Sequence, residues 1–120
     1  MSAAAHDVAG ILAQWGESIT YIPQGGEART ITAIVDKSVR PIQDQFGIWQ
    51  DRLAEVFVKR DATAGIDAIP EYGSSVKTSS LAEGEAYSFE GTVVNEDDES
   101  LKLEFVIHDP KRRGGNYAKR

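Results

Sequence analysis

Residues 87–108, YSFEGTVVNEDDESLKLEFVIH, carry the clearest structural signal in the chain. In two segments, 85–94 and 101–108, four alternate positions are apolar or glycine, and these segments flank the polar residues 95–100. The alternating residues are Tyr87, Phe89, Gly91 and Val93, then Leu101, Leu103, Phe105 and Ile107. Alternation with period two predicts strands that bury one face. We therefore expect a closing β-hairpin, with Tyr87, Phe89 and Phe105 as anchors of the core.

Further strands are predicted towards the N-terminus. Residues 19–23 and 28–37 both alternate, and the sequence QGGE between them supplies a turn, since glycine readily takes the positive φ of tight hairpins. Residues 54–60, AEVFVKR, predict a third strand, and residues 74–79 a short one.

Residues 3–15 predict a short helix. Four apolar residues at helical spacing share one face: Val8, Ile11, Leu12 and Trp15. Gly16 follows, at the position where a helix is commonly capped. Because about three turns are too few for a stable isolated helix, we expect it to pack against the sheet with Trp15 as its core anchor.

Residues 38–53, SVRPIQDQFGIWQDRL, follow no simple period, and Pro41 and Gly47 interrupt them. We predict a long irregular loop, which is uncommon in a compact domain and often functional. Its apolar residues allow three interpretations: a flap over one end of the core, an arm that buries aromatic side chains against another chain, or a short helix. As contacts with another subunit or partner we single out four residues: Ile42, Phe46, Ile48 and Trp49.

Together these elements predict an all-β, or β-rich α+β, fold. Five or six strands bury enough surface only as a small antiparallel β-barrel or as two packed sheets, with the helix against one side. A length of 120 residues is that of one domain. We assign residues 1–110 to this domain and residues 111–120 to a basic C-terminal tail.

Charge is unevenly distributed along the chain. The net charge is −6, but residues 111–120 hold five basic side chains and no acidic one, which leaves 8 basic and 19 acidic side chains and a net charge of −11 over residues 1–110. Lys111, Arg112 and Arg113 are candidate contacts with an acidic partner or with phosphate, and a solvated chain end is the alternative. An acidic body argues against DNA binding by the folded part, and the acidic strand positions Glu90 and Glu104 argue against base stacking on the barrel.

Motifs for catalysis or cofactor binding are missing from the sequence. Without cysteine, it has no disulfide, thiolate nucleophile or cysteine metal site, and it contains no nucleophile elbow, HExxH or phosphate loop. The His108–Asp109 pair is interpreted as structural, since neighbouring strand residues point to opposite faces. We expect no catalytic residue, metal or cofactor. The acidic residues 96–99 indicate a solvated hairpin tip, with a loose divalent-ion contact or a basic partner as alternatives.

No stretch approaches the ~20 apolar residues of a membrane span. The first 16 residues also lack the basic and apolar regions of a signal peptide. We therefore expect the chain to remain in a reducing cytoplasm.

Four stretches, taken in order, resemble a known family. They are the N-terminal helix ending at Gly16, the hairpin ESITYIP…GGEARTITAIVD over 17–36, the strand EVFVKRD over 55–61, and the closing hairpin YSFEGTVV…LKLEF over 87–105. In order and overall length, the chain resembles the small head–tail joining (neck) proteins of tailed bacteriophages and prophages.

This resemblance implies a structural virion protein without catalytic activity. It implies a β-barrel that assembles as a homo-oligomeric ring, commonly of six copies, between the portal or adaptor proteins and the tail. Such a ring continues the channel for packaged DNA without reading its sequence. It further implies assembly in the host cytoplasm and a final location in the virion neck. The alternative is a small cytoplasmic β-barrel adaptor or regulatory binding module with no virion role.

Overall fold

The computed structural model describes residues 3–109, with side chains from residue 8 onwards. One helix precedes six strands. They are α1 (Ala3–Trp15), β1 (Glu17–Ile22), β2 (Arg29–Asp44), β3 (Gly47–Lys59), β4 (Ser75–Lys77), β5 (Tyr87–Glu96) and β6 (Ser100–Ile107). The helix begins and ends within the predicted range 3–15. The predicted tail, including Lys111, Arg112 and Arg113, lies outside the described residues.

The six strands form a closed antiparallel barrel in the order β1-β2-β3-β6-β5-β4. The short strand β4 closes it, because it pairs with β1 on one side and β5 on the other. A closed barrel leaves no sheet edge around its wall. The prediction of a small antiparallel β-barrel with a short N-terminal helix is confirmed.

The barrel interior is filled by the alternating residues that the sequence marks. Phe89 and Phe105 lie opposite each other on β5 and β6, with ring centroids 5.5 Å apart. Tyr87, Phe89 and Phe105 are all buried, as predicted. The core cluster contains Ile19, Tyr21, Ile31, Ala33, Ala54, Val56, Val58, Ile66, Val76, Tyr87, Phe89, Leu101, Leu103 and Phe105.

The helix packs on the outside of the barrel, against β2 and β3. Val8 and Leu12 are buried in this contact but do not belong to the core cluster. The prediction that Trp15 anchors the core is wrong, since its side chain is 68% exposed. The spacing correctly groups Trp15 with the helix's apolar face, but only one edge of that face meets the sheet.

Residues 38–53 are not a loop; they belong to the long antiparallel strands β2 and β3. Their pairing continues without a break from Ile34↔Phe57 to Asp44↔Gly47. Pro41 is accommodated because the other edge of β2 has no strand neighbour beyond Ala33, and proline is tolerated on edge strands. Gly47 follows the two-residue turn instead of interrupting a strand.

The loop between β3 and β4 adds Ile66 to the core, and Gly65 makes this possible. The Gly65 N–H donates to the Asp61 carbonyl, and the Ile66 N–H donates to the Lys59 carbonyl. A Cβ at position 65 would overlap the carbonyl oxygen of Lys59, which is rigid backbone. The loop can approach β3 this closely only because residue 65 has no side chain.

Gly65→Ala is expected to lower the free energy of unfolding by about 1–3 kcal/mol, because the overlap forces the loop away from β3. Gly10→Ala is the matched control: it lies in the helix with nothing within 4 Å of its would-be Cβ, and we expect it to stabilise the protein by about 0.5–1 kcal/mol. Urea unfolding of both variants measures the difference. Equal effects would contradict the packing described for Gly65.

Candidate functional site

The distal parts of β2 and β3, residues 39–51, form a two-stranded ribbon that we call the arm. β1 pairs with β2 only as far as Ala33, and β6 pairs with β3 only as far as Arg52. Within residues 3–109 no third strand joins the ribbon beyond these points. The molecule measures 55 × 28 × 23 Å, which is elongated for a small barrel. The arm therefore projects from the barrel wall.

The arm exposes apolar side chains to solvent. Val39 is 56%, Phe46 69% and Ile48 68% exposed. Ile42 and Trp49 face each other across the two strands and are half-buried. Three such exposed residues on a narrow ribbon are unusual for a surface that meets only water, and they are typical of a protein–protein contact.

The tip of the arm is organised by one carboxylate. Asp44 Oδ1 accepts hydrogen bonds from the Phe46 backbone N–H at 2.8 Å and from Trp49 Nε1 at 3.1 Å. These bonds fix the two-residue turn and hold the indole beside it. Phe46 is thereby presented at the very end of a defined hairpin.

Four of the predicted contact residues are brought together on the distal half of the arm: Ile42, Phe46, Ile48 and Trp49. That they contact another chain stays a prediction. The flap interpretation is wrong, because the segment projects from the barrel, and the short-helix interpretation is wrong because the segment is β-strand.

A charged cluster lies at the root of the arm. Asp51 is fully buried. Its Oδ1 accepts the Asp109 backbone N–H at 2.9 Å, and its Oδ2 lies 3.0 Å from His108 Nδ1. His108 Nε2 lies 2.7 Å from Glu90 Oε2. Arg40 adds a longer ion pair, 3.7 Å from Asp51. We call Asp51, His108 and Glu90, with Arg40, the root cluster.

Strand register explains how these residues meet. Arg52 pairs with Ile107, so the next positions along the strands, Asp51 and His108, lie side by side on the outer face. Glu90 comes from β5, immediately before Gly91, whose φ of +97° accompanies the register shift after Phe89. The cluster thus joins β2 and β3 to the later hairpin of β5 and β6, which is distant from them in sequence.

The root cluster holds the chain together and occupies both ring nitrogens of His108. Both ring nitrogens of His108 lie against carboxylate oxygens. Carboxylates only accept hydrogen bonds, so both contacts are hydrogen bonds when each ring nitrogen carries a proton. A general base needs a nitrogen that can reach its substrate's proton. Further, Asp109 Oδ2 accepts the Gln50 backbone N–H at 2.9 Å, which ties the end of β6 to the arm.

The sequence identifies only part of this cluster. His108 and Asp109 stand out as neighbours, and the expectation that their side chains diverge leads to a structural interpretation. Asp51 and Glu90 carry no signal of their own, because their roles depend on which strands pair and in which register. Asp51 lies in the segment 38–53, which is predicted from the sequence to be a loop, so the sequence does not indicate that its carboxylate is buried.

Asp51→Ala is expected to lower the free energy of unfolding by about 1.5–3 kcal/mol, since it removes charged hydrogen bonds in a buried position. In a double-mutant cycle with His108→Ala, we expect a coupling energy of about 0.5–3 kcal/mol. Urea unfolding of the four chains gives the value. Asp98→Ala, on the exposed β5–β6 turn, is the control and should leave stability unchanged. A coupling energy near zero would contradict the hydrogen bond between Asp51 and His108.

A second ionic contact joins β3 to the loop before β5. Arg52 donates two hydrogen bonds to Glu85, at 3.1 and 3.2 Å. These bonds, with the Ala82 N–H, hold the pKa of the Glu85 carboxyl below its usual value. A carboxyl with a lowered pKa in the folded state stabilises the protein at neutral pH, and this contribution is lost as the pH falls through the lowered pKa.

The predicted acidic hairpin tip is confirmed as the exposed turn between β5 and β6. Asp97 organises it by accepting the backbone N–H groups of Glu99 and Ser100 at 2.9 and 2.8 Å. These bonds lower the pKa of the Asp97 carboxyl. Across residues 3–109, we find no group of three or more His, Asp or Glu side chains placed to hold a metal ion.

A groove of about 440 Å³ lies on the outer face of the barrel, between α1 and strands β2, β3 and β6. Ile11 of the helix lines it, together with Ile34 and Phe57, which pair across β2 and β3 and face outwards. Its rim carries Asp36 and an ion pair between Lys102 and Glu55, 3.5 Å apart. The groove thus has an apolar floor and a charged rim.

In the part of the chain that the structure describes, no helix has the length and apolar character of a membrane span. No family model matches the chain, and a search of curated proteins finds none that is similar in sequence.

Proposed function

We propose that this protein is a structural component of a tailed-phage virion. In this proposal it is a head–tail joining, or neck, subunit that forms a homo-oligomeric ring, of six copies in the family it resembles. The ring links the portal or adaptor to the tail and continues the DNA channel. It needs no catalytic residue, metal or cofactor. The subunit is made in the host cytoplasm and ends in the virion neck.

The observation that carries this proposal is the arm. A two-stranded hairpin is only marginally stable in water, and it becomes stable when its apolar side chains pack against something else. Phe46 and Ile48 are more than two-thirds exposed at its end. An arm of this kind is suited to a protein whose work is to hold neighbouring subunits together.

The charge of the barrel is consistent with a DNA conduit. Residues 1–110 have a net charge of −11. Affinity for DNA comes mainly from neutralising phosphates with Lys and Arg, so an acidic wall lets the packaged polyanion slide instead of binding it. An assembled ring whose lumen is lined by Lys or Arg would contradict this part of the proposal.

The second candidate is a small cytoplasmic adaptor, because an apolar arm would also suit a binding module. The two candidates differ in where the protein is found. A neck subunit stays with purified particles in a small, fixed copy number, whereas an adaptor remains in the soluble fraction of the lysate.

Quantitative mass spectrometry of gradient-purified particles makes this distinction. We expect the chain in the particle fraction at several copies per portal ring, and resistant to a high-salt wash. Its absence from purified particles would rule out the neck role and favour the adaptor. The same conclusion would follow if the high-salt wash removed it to the same extent as contaminating host proteins.

A further inference from the structure

We propose that the arm tip of one copy docks in the helix-side groove of the next copy, so that subunits join head to tail. This inference rests on the proposed ring and adds which surfaces form it. The arm tip is the apolar end carrying Phe46 and Ile48, and the groove is the one between α1 and the outward-facing Ile34 and Phe57.

The two surfaces match in chemistry. The tip presents aromatic and aliphatic side chains, and the groove floor is formed by aliphatic and aromatic side chains. The groove volume of about 440 Å³ falls within the ~300–1,000 Å³ of pockets that bury small ligands. It is therefore large enough to receive the end of a hairpin.

The arm cannot fill the groove of its own chain. Ile34 lies at the groove and Asp44 at the arm tip, ten positions further along β2. At about 3.3 Å per residue, an extended strand separates them by about 33 Å. The contact must therefore be made between two copies. Because the two surfaces differ, the contact is heterologous, and heterologous contacts build rings when the rotation closes.

The available area sets how the contact must be made. A stable interface buries about 800 Å² on each partner, and a single aromatic side chain buries about 150–250 Å². Even at that rate two side chains supply only about 300–500 Å², so Phe46 and Ile48 alone fall short of what is needed. The shaft of the arm must then lie along the neighbour's helix, where Trp15 is 68% exposed. Every copy would insert its arm tip into one neighbour and receive the arm tip of the other neighbour in its groove.

Disulfide trapping tests the contact on the purified full-length chain, which has no cysteine of its own. A chain with both Ile48→Cys and Ile11→Cys should give a ladder of covalent oligomers on oxidation at high protein concentration. The control pairs Ile48→Cys with Tyr72→Cys, on a residue that is 71% exposed in the loop between β3 and β4, and should give no ladder. Disulfides need Cβ atoms about 4 Å apart, so the ladder reports close approach.

Mixing two defective chains provides a second measurement. Phe46→Ser/Ile48→Ser removes the apolar side chains of the tip and keeps the groove intact. Ile34→Glu places a charge in the groove and keeps the tip intact. Each should be monomeric alone, and an equimolar mixture should form a one-to-one heterodimer that grows no further. Melting temperatures equal to that of the wild type would confirm that both variants fold.

The outcomes separate this inference from the proposed function. Only tip-to-tip dimers of Ile48→Cys, or no ladder together with no heterodimer, would overturn head-to-tail docking even if the protein stays with particles. A ladder from a protein that is missing from particles would support the docking and overturn the neck role.

Discussion

Phe105→Ala is expected to destabilise the barrel by about 3–5 kcal/mol, the usual loss when a buried aromatic side chain is truncated to alanine. Phe105 is fully buried and packs against Phe89 at 5.5 Å between ring centroids. Small domains have a total stability of about 5–15 kcal/mol, so the variant loses a large part of it. The melting temperature should fall by about 10–25 °C.

Phe46→Ala is the matched control for this prediction. It removes the same side chain from a position that is 69% exposed, where a substitution changes stability by no more than about 0.5 kcal/mol. Calorimetry of the two variants compares an interior and an exterior phenylalanine directly. Similar melting temperatures for both would mean that the barrel interior is not where this structure places it.

Phe46→Ser/Ile48→Ser is expected to abolish subunit association while leaving the barrel folded. Aromatic residues at the centre of an interface contribute about 2 kcal/mol or more each, and removing one such side chain weakens binding by about 30-fold. In a ring the same weakening recurs at every interface. The melting temperature of the monomer should be unchanged, since both side chains are solvent-exposed.

Trp49→Ala tests the same surface from within the arm. The indole packs beside Ile42 and donates to Asp44 at 3.1 Å, so its removal loosens the tip as well as the interface. We expect assembly to fail, as measured by native mass spectrometry and by joining of heads to tails. Tyr72→Ser, an exposed aromatic away from the arm, should assemble normally. Unchanged assembly of Trp49→Ala would contradict the proposed burial between chains.

The sequence predicts most of the barrel because its strands bury one face. Leu103 and Phe105 alternate with polar residues, and this pattern marks both a strand and its inward side. The same reasoning fails for residues 38–53, since most side chains of the ribbon are exposed and its apolar residues do not follow a simple alternation. Pro41 then suggests a break where β2 in fact continues, and Gly47 marks the turn between β2 and β3.

The helix and the root cluster show a second limit. Helical spacing correctly groups Trp15 with Leu12, but spacing cannot tell whether that face enters the barrel or lies on its outer wall. The root cluster depends on register: Asp51 meets His108 only because β3 and β6 pair as they do. Interactions between distant strands have no local signature in the chain.

The root cluster also bears on how the arm functions. Asp51 and Asp109 tie the base of the arm to the end of β6 through a buried carboxylate and a backbone hydrogen bond. A rigid root fixes the direction in which the tip points. In the proposed ring, that direction would set the rotation between neighbouring copies, and the rotation decides whether a head-to-tail contact closes.

Gene deletion followed by negative-stain electron microscopy of the lysate tests the central claim most directly. Complementation with wild type, with Phe46→Ser/Ile48→Ser and with Tyr72→Ser completes the comparison. We predict filled or leaking heads and separate, complete tails in the deletion and in the arm variant, with joined particles restored by wild type and by Tyr72→Ser. Intact, joined particles in the deletion itself would contradict the joining role.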